Sequence, residues 1–101
     1  MSAAVALATP PNAIHAHYDV DRHELDVLVQ HPVSNRRVHF VDKVVISKNG
    51  TEVASREFVS QTSNRDQTMP PFKIAAATGD TFKIVATCNE FGEYDTTITA
   101  P

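Results

Sequence analysis

The chain carries one cysteine, Cys88, and five histidines, His15, His17, His23, His31 and His39. A lone sulfur cannot form an internal disulfide, so its chemistry is packing, metal ligation or nucleophilic attack. Thiolate with imidazole is a ligand set for zinc or iron, and a bound cation holds the thiol deprotonated. The plain alternative is that Cys88 fills a core as a small hydrophobe, the commonest role of a free cysteine, while the histidines sit solvated beside loops. Cys-x-x-Cys spacing is absent, so spacing alone does not choose between the two. No Lys or Arg adjoins Cys88, which gives no sign of an activated thiol. A Gly-x-Ser-x-Gly nucleophile and a glycine-centred calcium loop are also missing.

Whether these groups can meet depends on the elements that carry them. Ile14, Ala16, Tyr18 and Val20 alternate with polar positions, and Leu25, Val27 and Val29 do so again after a turn at Asp21-Arg22, the period of half-buried strands. "HFVDKVVISKNGTEVASREFV" is two runs of branched and aromatic residues about Asn49-Gly50, a pair that tolerates positive φ and suits a type I′ hairpin turn. "SQTSNRDQTMPP" is polar and ends in two prolines, so it reads as a connection, with Met69-Pro70-Pro71 restraining the approach to the next strand. "FKIAA" resumes from Phe72, Thr78-Gly79-Asp80 turns, Phe82, Ile84 and Ala86 alternate, and "EYDTTITA" ends the pattern. No stretch keeps a helical apolar repeat, and no internal repeat is present. The expected fold is all-β, a seven-stranded immunoglobulin-like β-sandwich.

If strand direction reverses at every connection, a parity count assigns each loop to an end. The start of the first strand, the "HPVSNRRV" loop, the 60–70 connection and the Asn89 to Gly92 turn then share one end. His31, His39 and Cys88 meet there, with His15 or His17 near the same rim, while His23 is left at the other end. Cys88 is in phase with Phe82, Ile84 and Ala86, so its side chain should point into the mouth of the sandwich.

With 101 residues, the chain fits one domain that buries roughly two-thirds of its unfolded surface. Residues 13–101 make that domain, and residues 1–12 an N-terminal arm. The net charge is -3, and the nine Lys and Arg are scattered apart from Arg36-Arg37, a solvated loop tip, so no basic face for nucleic acid is expected. No apolar run approaches the roughly 20 residues of a membrane span. "MSAAVALATPPNAI" looks like the small-residue end of a secretory leader, though without a basic n-region. A periplasmic or exported location is the expectation and a cytoplasmic one the alternative; one cysteine fits either.

"ATCNEFGEY" resembles the end of the iron domain of superoxide reductases and desulfoferrodoxins, where a Cys-Asn-x-His-Gly motif gives a thiolate and a histidine to a non-haem iron, and "HPVSNRRVHFVDKVVI" resembles that family's His-Pro segment. The resemblance spans about Ile14 to Thr99. It implies the same sandwich, with iron held by four equatorial histidines and an axial cysteine and a sixth position where superoxide is reduced to hydrogen peroxide. Carried over, Cys88 matches the thiolate, His31 the histidine of His-Pro, and His39 the histidine opening the following strand, across a longer loop. Phe91 stands where the motif has its histidine. The family's N-terminal histidine falls near Ala13, so His15 or His17 could replace it only if the strand slips by a few residues. A Glu-Lys-His segment has no counterpart. The implied function is a superoxide-reductase-like domain with an incomplete iron site, binding iron, or zinc, or no metal at all, with weak or altered redox activity. The alternative is a non-enzymatic interaction module with a protein partner or a second copy: "HFVDKVVISKNGTEV" and "TGDTFKIVAT" also resemble the immunoglobulin-like small subunit of the thiosulfate-oxidation carrier complex.

Overall fold

Alternating branched and aromatic residues build the strands, and glycine and asparagine at positive φ turn them. The computed structural model describes residues 9–101, which leaves most of the expected arm, and the leader-like stretch in it, outside the described residues. The elements are β1 (Ala13–Asp19), β2 (Glu24–Gln30), β3 (Val41–Lys48), β4 (Thr51–Glu57), β5 (Asp66–Thr68), β6 (Phe72–Lys73), β7 (Thr81–Cys88) and β8 (Glu93–Thr99). Among the described residues there is no helix. The strands form two antiparallel sheets, one ordered β1-β2-β5 with β6 also on β2, the other β4-β3-β7-β8.

The count is therefore eight strands rather than seven. Asp66–Thr68, expected to be connection, pairs with Leu28–Gln30, while Phe72 and Lys73 pair with Leu25 and Glu24 further along the same strand. β1 occupies the other edge of β2 along its whole length, so β5 and β6 share one edge and one direction. Pro70 and Pro71 fall between them, and proline has no N–H to give a ladder. Because β5 and β6 run the same way, the alternation of ends from one connection to the next survives the extra strand. Val20, expected to extend the first strand, lies in the turn after Asp19.

The core is shared by both sheets. Tyr18, Leu25, Val27 and Val29 come from β1 and β2, and Val41, Val44, Ile46, Phe82, Ile84 and Ala86 from β3 and β7. Each large apolar side chain so buried contributes about 1.5–3 kcal/mol. Tyr18 sets its ring 5.1 Å from that of Phe82 and donates its hydroxyl to the Ile74 carbonyl at 2.6 Å. Arg56 on β4 lays its guanidinium 4.0 Å from the Phe72 ring centre and donates to the carbonyls of Pro70 and Pro71, fastening the proline interruption to the second sheet.

The Asn49-Gly50 turn has φ of 50° and 87°, both in the left-handed region that the type I′ hairpin requires. It lies beside Asp80 and Thr81, with Asn49 N–H donating to the Thr81 carbonyl at 2.9 Å. His23 sits in the β1–β2 turn, its Nδ1 3.3 Å from the Tyr18 hydroxyl. In β3 the register with β7 shifts between Val41 and Lys43. That bulge at Asp42 lets Val41 and Val44, three residues apart, both face the core, and bulges of this kind re-aim the chain beside functional sites.

Candidate metal centre

Two strand phases converge on one rim. On β2 the inward positions are Leu25, Val27 and Val29, and the residue that continues the series past the strand end is His31, fully buried. On β7 they are Phe82, Ile84 and Ala86, followed by Cys88 at 5 % exposure. These are the last inward positions of two strands in facing sheets. His39 arrives from the β2–β3 loop, where Val38 N–H and His39 N–H both donate to the Asn35 carbonyl and turn the chain back over the rim.

One ligating atom from each of His31, His39 and Cys88 lies within 4.8 Å of the other two. His39 Nε2 is 3.1 Å from Cys88 Sγ, and the two imidazoles stand edge to face with centres 4.7 Å apart. Around the sulfur the backbone N–H groups of Glu90 and Phe91 point inward at 3.4 and 3.5 Å, dipoles suited to a negative thiolate. Asn89 braces this turn against the histidine loop: its side chain accepts from Phe40 N–H at 2.8 Å and donates to the Val38 carbonyl at 2.9 Å.

Gln61 fixes His31. Its Oε1 accepts from His31 Nδ1 at 2.8 Å and from Val41 N–H at 3.1 Å, while its Nε2 donates to the carbonyls of His31 at 2.8 Å and Ser63 at 2.9 Å. Only this amide orientation satisfies all four contacts, so the hydrogen-bond network assigns the His31 hydrogen to Nδ1. In the neutral ring Nε2 then carries the lone pair that a metal would take. Ligating histidines are ordinarily held in this way, through the ring nitrogen that does not touch the metal. Arg36, expected to be merely solvated, donates its Nη1 to the Gln61 carbonyl at 3.0 Å and so braces the brace.

The remaining candidates stay apart. His15 and His17 lie on the outward face of β1, opposite Leu28 and Asp26, along a surface groove completed by Met69. No slip brings either to the rim: the β1–β2 ladder runs in unbroken register from Ala13 opposite Gln30 to Asp19 opposite Glu24. Phe91, at the place of the missing histidine, leaves its ring 64 % exposed and touches the centre only through its backbone. Sequence reasoning overlooked Gln61, hidden in a polar segment, and Thr9, whose carbonyl lies 2.8 Å from His31 Nε2 and 3.2 Å from His39 Nε2.

The donor set fits a transition-metal ion. A soft thiolate and two imidazoles are the ligands that zinc and iron take, and here two of the three residues are buried and the third half-buried. No family model, curated protein or solved structure compared with the chain matches it, leaving the residues themselves to carry any functional conclusion.

Proposed function

We propose that this domain binds a transition-metal ion, iron or in its place zinc, through His31, His39 and Cys88, and that it is a superoxide-reductase-like protein with a reduced ligand set. The reading rests on one observation, the mutual approach of the three donor atoms to within 4.8 Å. The strand order supports an immunoglobulin-like sandwich once β5 and β6 are counted as one interrupted strand. Iron bound here would supply one-electron redox chemistry. Cys88 would give it a charged thiolate, His31 and His39 neutral nitrogens, and Gln61 would keep the His31 ring aimed. With Phe91 in place of one histidine and His15 and His17 turned away, fewer imidazoles surround the ion, so superoxide reduction is expected to be slow or altered.

Metal analysis of protein dialysed after loading with Fe(II) or Zn(II) tests this. Native protein and His23→Ala should retain the ion, while His31→Ala and Cys88→Ser should lose it. In the ferric form a thiolate-to-iron charge-transfer band should appear and vanish in Cys88→Ser. Equal metal content in all four proteins ends the proposal.

A second reading, an interaction module without catalysis, draws on Val38 and Phe91, which are 61 % and 64 % exposed on the two loops that Asn89 joins. Exposed apolar groups beside a buried polar cluster suit a partner surface. Recovery with a partner that ends in a Gly-Gly-Cys-type tail, from cells lacking added metal, would favour it; a monomer that pulls down nothing would count against it.

A further inference from the structure

We propose that the backbone carbonyl of Thr9 is a fourth donor to this centre, and that residues 9–12 form a strap closing the position an outside ligand would take. This rests on the metal reading above. Thr9 O lies 2.8 Å from His31 Nε2 and 3.2 Å from His39 Nε2, and His39 Nε2 lies 3.1 Å from Cys88 Sγ. Since Gln61 holds the hydrogen of His31 on Nδ1, the ring form that ligates a metal turns a lone pair toward an oxygen that also offers only lone pairs. In that form the two acceptors repel; a hydrogen on Nε2 relieves this as a hydrogen bond, and a metal cation that takes the hydrogen's place turns the contact into two bonds. Around a four-coordinate ion with bonds of about 2.0–2.3 Å, neighbouring donors stand roughly 3.3–3.7 Å apart. These three spacings need to open by about half an ångström to reach that range, and the widest spacing among the three side-chain donors, up to 4.8 Å, needs to close by about 1 Å.

The strap is held from behind. Asn12 N–H donates to the Gln30 carbonyl at 2.9 Å, continuing the β1–β2 ladder outward. Pro11 is buried, and Pro10 lies so close to Gly92 that a Cβ there would come within 2.9 Å of the Pro10 Cβ. Two successive prolines fix φ, and a residue before proline is confined to extended conformations, so the Thr9 carbonyl has few other directions in which to point. A side chain at position 92 would displace the strap, which accounts for glycine there beyond its φ of 78°. Ligands hindered by this arrangement are small metal-seeking anions such as azide or cyanide, and superoxide by the same chemistry, in keeping with the slow reduction expected above.

The test uses the full-length chain loaded with Co(II), whose visible spectrum reports ligand number, and azide as the probe. The native spectrum should be that of a four-coordinate ion and resist azide. The double variant Pro10→Gly, Pro11→Gly frees the strap; if the strap is closed about nine-tenths of the time, azide should bind the variant about tenfold more tightly. Identical azide titrations of the two proteins would overturn the proposal while leaving metal binding intact, whereas failure of both to bind cobalt would remove the metal reading and the strap with it. A measurement on the native chain needs no variant: the carbonyl ¹³C resonance of Thr9 should move on loading with Zn(II), and an unmoved resonance overturns the proposal independently.

Discussion

The two ends of the sandwich are built from the same parts and finished differently. At the end holding Asn49-Gly50, two turns are tied by exposed polar groups: Asn49 Nδ2 donates to Asp80 Oδ1 at 3.1 Å, Thr81 N–H to Asn49 Oδ1 at 2.9 Å, and Ala77 N–H to Asp80 Oδ2 at 2.9 Å. Water could replace any of these partners. At the other end the ties run through His31 and Gln61, at 0 % and 1 % exposure, where nothing replaces a lost partner. Burying polar groups is unfavourable unless each is fully bonded, so an end that only had to close its loops would resemble the first. The polar rim around Cys88 is the costlier of the two to build.

This contrast can be broken or sharpened by mutation. Gln61→Leu orphans the Val41 N–H, the His31 ring and two carbonyls at once; with each buried orphan costing about 1–3 kcal/mol, a loss of at least about 3 kcal/mol is expected by urea unfolding. Asn49→Ala gives up only solvent-replaceable bonds and places alanine at φ 50°, so about 1–2 kcal/mol should be lost. If Gln61→Leu proves no costlier than Asn49→Ala, the distinction between the ends disappears. The smallest effect belongs to Asp80. Its carboxyl is held below the ordinary value first by the Ala77 N–H and then by the Asn49 amide. A group with a lowered folded pKa stabilises fully above its unfolded value and loses that contribution as pH falls through the folded one. Below about pH 4, native protein should therefore lose stability more steeply than Asp80→Asn; parallel curves would show that Asp80 contributes nothing through its charge.

Much of this was legible in the residues. The hairpin about Asn49-Gly50 follows from turn chemistry, and the meeting of His31, His39 and Cys88 follows from counting reversals, because direction depends on topology and not on loop detail. The outward aim of His15 and His17 was equally present, in the alternation of Ile14, Ala16 and Tyr18 around them. Other features left no local mark. Asp66–Thr68 is too short and too polar to show a period, and it pairs only because β2 offers an edge. Gln61 reads as loop composition; its burial comes from His31 and Val41, which lie 30 and 20 residues away. Thr9 contributes a backbone atom, which side-chain chemistry cannot announce.

The paired prolines between β5 and β6 interrupt one outer border of the first sheet. An outer strand with a continuous run of free amides and carbonyls invites a neighbouring molecule to zip onto it. Here that border is chopped into runs of three and two residues, each too brief to template a stranger, and Arg56 pins the break in place. Replacing Pro70 and Pro71 with ladder-competent residues such as Thr would mend the border, with self-association expected to rise in light scattering at high protein concentration. On this one border, the same break that hid a strand from the sequence would then be what keeps a second molecule from docking, whereas β1, β4 and β8 keep unbroken outer edges.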